Sequence, residues 1–118
     1  MPEFATAFST KTADRKLSLS ELIRGVRFNV AAEYEAVQIY MELAESTDNE
    51  KAKAVLIDIA NEERVHAGEF LRLLKDLAPD EEGFYQSGAA EVEQLFAEIG
   101  SANESSGREE STIGSLKK

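Results

Sequence analysis

Between residues 56 and 77 the inward positions alternate by three and four: Leu56, Ile59, Glu63, His66, Phe70, Leu73, Leu77. That spacing belongs to a helix packing one stripe against other helices, yet the middle of the stripe holds a carboxylate and an imidazole. His66 is the only histidine of the chain, and Glu63 precedes it by one helical turn, so the two side chains point the same way. Ionisable groups in an apolar stripe are costly unless paired or coordinated. The pattern calls for a cation between helices.

The preceding segment carries a matching device. Ser18 and Glu21 form a capping box, which predicts a helix starting near Leu19. Its stripe reads Leu22, Val26, Val30, Glu33, Val37, Tyr40, Ala44, again with one carboxylate among apolar residues. Glu35, two positions on, is rotated by roughly 200° and belongs to another face. Tyr40 reads first as packing, and its hydroxyl would support a ligand carboxylate. Thr47 and Glu50 form a second capping box, so Ser46 to Asn49 read as a tight connection. The second helix then runs from about Glu50 to Leu77 and stops at Ala78-Pro79.

A connection this short makes the two helices antiparallel neighbours. With Asp48 at the centre of the turn, Glu33 and Glu63 both lie about 22 Å from it at ~1.5 Å of rise per residue. Glu33, Glu63 and His66 thus arrive at one height. Glu62 falls off the stripe and reads as a solvated charge.

A two-helix hairpin cannot bury both stripes alone, so the predicted fold class is all-α: an antiparallel two-helix hairpin with a short C-terminal helix, dimerising into a four-helix bundle. The ligand count agrees. A dinuclear carboxylate site takes one Glu from each of two helices and an E-x-x-H from each of the other two. One chain supplies half of that set, and two chains supply ligands for two ions on the dimer axis. Oxygen-rich donors with one imidazole per ion suit iron(II) or manganese better than copper or structural zinc. Ligand type alone leaves iron, manganese and zinc open.

Composition narrows the partners. A formal net charge of −10 argues against nucleic acid. No apolar run reaches the ~20 residues of a membrane span, and no secretory signal is evident, so a cytoplasmic protein is expected. With no cysteine there are no thiolate metal sites. Residues 1–17 read as a disordered N-terminal arm, and 18–100 as the hairpin with its third helix. That helix is expected over about Ala89 to Ile99, after an acidic DEEG loop and before Gly100. Residues 101–111 (SANESSGREES) read as a flexible linker. The terminal 112–118 regains Ile113 and Leu116 around Gly114 and Ser115. From composition alone a frayed end is the plainer reading of it, and a docking peptide the sharper one.

Three stretches, E-Y-E-A-V-Q-I-Y (Glu33 to Tyr40), N-E-E-R-V-H-A (Asn61 to Ala67) and T-I-G-S-L-K (Thr112 to Lys117), resemble the encapsulated ferritins. The resemblance implies a ferroxidase acting as an annular decamer, a homo-oligomer of five dimers, with a di-iron centre between paired subunits. It implies Glu33, Glu63 and His66 as iron ligands and Glu35 as a carboxylate where metal ions enter. Two positions depart from some members: Ala32 stands where they carry an acid, and Ile39 where they carry an aromatic residue. The terminal peptide resembles the sequence that docks cargo on the inner wall of an encapsulin nanocompartment. Localisation inside such a shell, in the cytoplasm, follows from it.

The leading expectation is therefore an encapsulin-targeted ferroxidase for iron storage. A rubrerythrin-like peroxide scavenger is the second reading, although that class uses a cysteine-rich electron-transfer site. A non-catalytic hairpin adaptor, in which polar residues merely fix pairing register, is the third.

Overall fold

The computed structural model describes residues 15–106. Over that span the chain forms three helices and no strand: α1 (Leu19–Glu45), α2 (Glu50–Leu77) and α3 (Glu81–Ser106). The peptide 112–118, the end of the linker expected at 101–111 and most of the arm expected at 1–17 lie outside the described residues. No helix among the described residues is long and apolar enough to cross a membrane.

α1 starts where its capping box predicts. Ser18 Oγ accepts from the Glu21 amide at 3.2 Å, and the Glu21 carboxylate accepts from the Ser18 amide at 2.8 Å. Arg15 clasps the same carboxylate through two bonds of 2.7 and 2.8 Å. These donors, Arg15 first and the Ser18 amide next, hold the Glu21 carboxyl down at about 2. α1 ends at Ser46, whose amide returns to Leu43 and whose hydroxyl donates to the Glu42 carbonyl.

The cap of α2 differs from the expected Thr47–Glu50 box. Asn49 is the cap, its side-chain oxygen accepting from the Ala52 amide at 2.9 Å. Asn caps at least as well as Thr, and Thr47 is left to hold the turn by accepting from the Asn49 amide at 3.1 Å.

α1 and α2 pack antiparallel: Val26, early in α1, clusters with Leu74 and Ala78, late in α2, and Ile23, Phe70 and Leu77 flank them. Leu74 is the largest buried side chain here, and its burial contributes roughly 1.5–3 kcal/mol. The line of contact on α2 is Ala60, Ala67, Leu74, Ala78. It is rotated from the middle of the predicted stripe by about 75°, passing one residue beyond Ile59, His66, Leu73 and Leu77. A single neighbouring helix buries a narrow line, and the alanines let α1 approach closely; Ala60 is 0% exposed. Leu22 and Leu73, expected inside, are exposed.

The segment from Asp80 onward forms a second unit. Its helix is longer than expected, starting at Glu81 rather than near Ala89 and continuing past Gly100 to Ser106, so residues 101–106 are helical. Glu81 and Glu82 in the first turn favour an early start against the helix dipole, and the Tyr85 hydroxyl donates back to Glu81. Gly88 and Gly100 each cost about 1 kcal/mol relative to alanine, which weakens the helix without ending it.

Candidate metal centre

Glu33 reaches the centre from α1, and Glu63 and His66 from adjacent turns of α2. His66 Nδ1 stands 3.0 Å from Glu33 Oε2 and 3.0 Å from Glu63 Oε1. One donor atom from each of the three residues lies within 4.8 Å of the others. The Glu33 and Glu63 side chains are 15% and 17% exposed, and that of His66 is 50% exposed. The cluster is thus sheltered on the hairpin side and open on the other.

Glu33 Oε2 is buried and accepts no hydrogen bond. Its 3.0 Å approach to His66 Nδ1 brings the two atoms to ion-pair distance without hydrogen-bond alignment. Leaving a buried carboxylate oxygen unbonded is unfavourable by about 1–3 kcal/mol or more. Three acceptor-type atoms converging on one point are satisfied together by a cation. Donors held at ~2.1 Å from an ion and at right angles lie ~3.0 Å apart, which is the separation the two contacts show. By geometry and donor chemistry the three residues fit a hard or borderline divalent ion.

Both spacings come from helix geometry. The i, i+3 relation sets Glu63 beside His66, and the antiparallel register brings Glu33 level with them. Ala67, next to His66 and buried in the helix contact, keeps α1 near enough for Glu33 to reach across. The sequence carried a signal for this packing line, the recurrence of Ala60, Ala67 and Leu74 every seven residues, which the larger side chains of the neighbouring stripe overshadow.

The other predicted residues stand elsewhere. Glu35 is half-buried on α1 and outside the cluster. Tyr40 is half-buried, about 10 Å farther along the helix axis than Glu33, and is not among the converging groups. Glu62 is exposed. Ile113, Gly114, Ser115 and Leu116 lie outside the described residues.

An open-faced helical hairpin bearing Glu33 on one helix and an E-x-x-H pair on the other defines a ferritin-like protein. The rubrerythrin family model matches residues 25–103, and the chain belongs to that family. A crystal structure of an encapsulated ferritin domain from Pyrococcus furiosus superposes with a TM-score of 0.70 at 31% identity, over 74% of this chain and 89% of that one. The chain is 42% identical over 67 residues to the encapsulin nanocompartment cargo protein EncC of Myxococcus xanthus, covering 57% of this chain and 52% of the relative. It is 33% identical over 82 residues to a ferritin-like–encapsulin shell fusion protein of Pyrococcus furiosus, covering 70% of this chain and 24% of the relative. The chain thus spans about half or less of the length of these two relatives.

Proposed function

We propose that the chain is a ferroxidase that oxidises Fe(II) to Fe(III) for mineral storage inside an encapsulin shell. The observation that carries the reading is the convergence of Glu33, Glu63 and His66 on one point with a buried, unbonded carboxylate oxygen among them. The open side of the cluster faces a second copy across a two-fold axis. That pairing supplies four carboxylates and two imidazoles, a set for two ions per pair. Iron is the substrate here. Two Fe(II) each give up one electron, and the pair of electrons with two protons reduces oxygen to hydrogen peroxide, or peroxide to water.

The protein's part is binding and charge. Glu33 and Glu63 oppose the rising positive charge, so they bind Fe(III) better than Fe(II) and favour its formation. The His66 of each copy would offer one nitrogen donor to one ion, and it is held by its place on α2 beside Glu63. Apolar neighbours on the open flank, Leu22 and Leu73, are covered by pairing, which also withdraws the site from bulk water. Glu35 is the carboxylate proposed to receive incoming ions, and Tyr40 the group proposed to support the liganded pair. Support for the compartment comes from the relatives named as encapsulin cargo and shell fusion, and from the terminal peptide around Ile113 and Leu116.

Oxygen consumption on adding Fe(II) to the metal-free protein tests the reading. Glu63→Ala and His66→Ala should each abolish it, and unchanged turnover in both would reject it. The rubrerythrin family match favours one alternative, peroxide reduction with electrons from a partner. Peroxide consumed far in excess of iron, given an external electron donor, would select it.

A further inference from the structure

His66 commits one ring nitrogen to the metal centre and has one left over. Nδ1 makes both 3.0 Å contacts, to Glu33 Oε2 and to Glu63 Oε1, so Nε2 takes no part in them. The His66 side chain is half exposed, unlike the two sheltered glutamates. A nitrogen that holds a cation carries no proton, so a neutral ring keeps its one proton on Nε2. An imidazole held at Nδ1 alone still turns about its side-chain bonds. An acceptor for the Nε2 proton stops that motion.

α2 supplies one. Helical side chains lean toward the N-terminus of their helix, so the His66 ring overlies the turn that carries Glu62 and Glu63. At about 100° per residue, Glu63 lies about 60° to one side of His66 and Glu62 about 40° to the other. Glu63 already stands at Nδ1. Glu62 is exposed and has no hydrogen-bonded or ionic partner among the described residues. Its neighbours at three and four residues are Asp58, Ile59, Val65 and His66, and of these side chains only the imidazole donates. Glu69, on the same side of His66 one turn onward, has Arg72 three residues beyond it as a competing partner.

We propose that Glu62 is a positioning residue for the metal centre: its carboxylate accepts a hydrogen bond from His66 Nε2–H and holds the ring with Nδ1 toward Glu33 and Glu63. The inference rests on the metal-binding part of the proposed function and not on the oxidation of iron. The bond fixes the tautomer that leaves Nδ1 free to bind, and a carboxylate acceptor makes that nitrogen more basic. Glu62 itself touches neither ion nor substrate. The run E-E-x-x-H from Glu62 to His66 thus holds two acids with different tasks, one at the cation and one behind the imidazole.

Zn(II) titration of the metal-free full chain, without iron or oxygen, tests it, with circular dichroism as the check on folding. Glu62→Ala should bind zinc about 10- to 100-fold more weakly than wild type. Glu62→Gln, which keeps an acceptor oxygen, should recover most of that loss. In zinc-loaded protein carrying 15N-labelled histidine, the ring N–H of the sole histidine gives one signal. It should be protected from exchange with water in wild type and lost to exchange in Glu62→Ala. Glu69→Ala should change neither readout. Wild-type zinc affinity with a protected signal in Glu62→Ala would overturn the proposal, as would a wild type that binds no zinc. The same losses in Glu69→Ala would move the acceptor one turn on and overturn it too. A Glu62→Gln protein as weak as Glu62→Ala would leave Glu62 only its charge, and the positioning role would fall. Neither readout involves iron oxidation, so the ferroxidase reading and this one fail separately.

Discussion

His66 Nδ1 lies as close to Glu33 Oε2 on the other helix as to Glu63 Oε1 on its own, 3.0 Å in each case. The centre is therefore a property of the packed hairpin and of neither helix alone. Whatever alters the spacing of α1 and α2 should reach the metal, and each partner bears a different part of the load.

Glu33 is the clearest test. Glu33→Gln keeps the shape and removes the charge. Wild-type protein should hold about one Fe(II) or Mn(II) per chain after gel filtration, by elemental analysis, and the variant close to none; retention would show that Glu33 is not a ligand. In the metal-free state Glu33→Leu should be more stable than wild type, on the order of 1 kcal/mol, seen as a higher Tm. A lower Tm would mean that the buried oxygen is satisfied in solution.

Ala67 sets the helix spacing. Ala67→Leu overfills the contact and should cost about 1–3 kcal/mol, a Tm loss of several degrees. Metal affinity should fall with it, since Glu33 is moved away from His66. Ala67→Ser, nearly the same size, should keep both. Normal affinity in a destabilised Ala67→Leu protein would separate spacing from binding.

The clasp at the start of α1 predicts a pH dependence. The folded-state pKa of Glu21 is about 2 against an ordinary 4.5, so its contribution to stability is present above about 4.5 and is lost as pH falls toward 2. Melting wild type and Glu21→Gln across that window should show the two curves converging on the acid side. Carboxyl NMR of Glu21 titrating near its ordinary value would contradict the clasp.

Deleting Thr112 to Lys118 should leave Fe(II) oxidation unchanged and abolish co-purification with a co-expressed encapsulin shell protein. Leu116→Asp should do the same, because burying a charge in an apolar groove is unfavourable. Continued co-purification of both would place the docking determinant elsewhere in the chain.

Helix number, the α1 cap and the meeting of Glu33 with Glu63 and His66 were legible because period and chain reversal dictate them. The phase of α2 was not. Its apolar arc is wide enough for two lines, and large side chains such as Phe70 and Leu73 draw the eye from Ala60 and Ala67, whose role is to be small. Asn49 displaced Thr47 because both are competent caps two residues apart, and only the turn decides between them. α3 was read short because DEEG looks like a loop and Gly100 like an end, whereas Glu81 and Glu82 form the first turn of the helix and Gly100 weakens it without stopping it.

The contact between α1 and α2 is lined largely by methyl groups, those of Ala44, Ala60, Ala67 and Ala78. A lone copy in a large volume has little holding it shut, and its working form is sensitive to dilution. Confinement in a small container opposes that loss by keeping the copies at high effective concentration, so for such a chain the enclosing wall would serve as a structural element as well as a store.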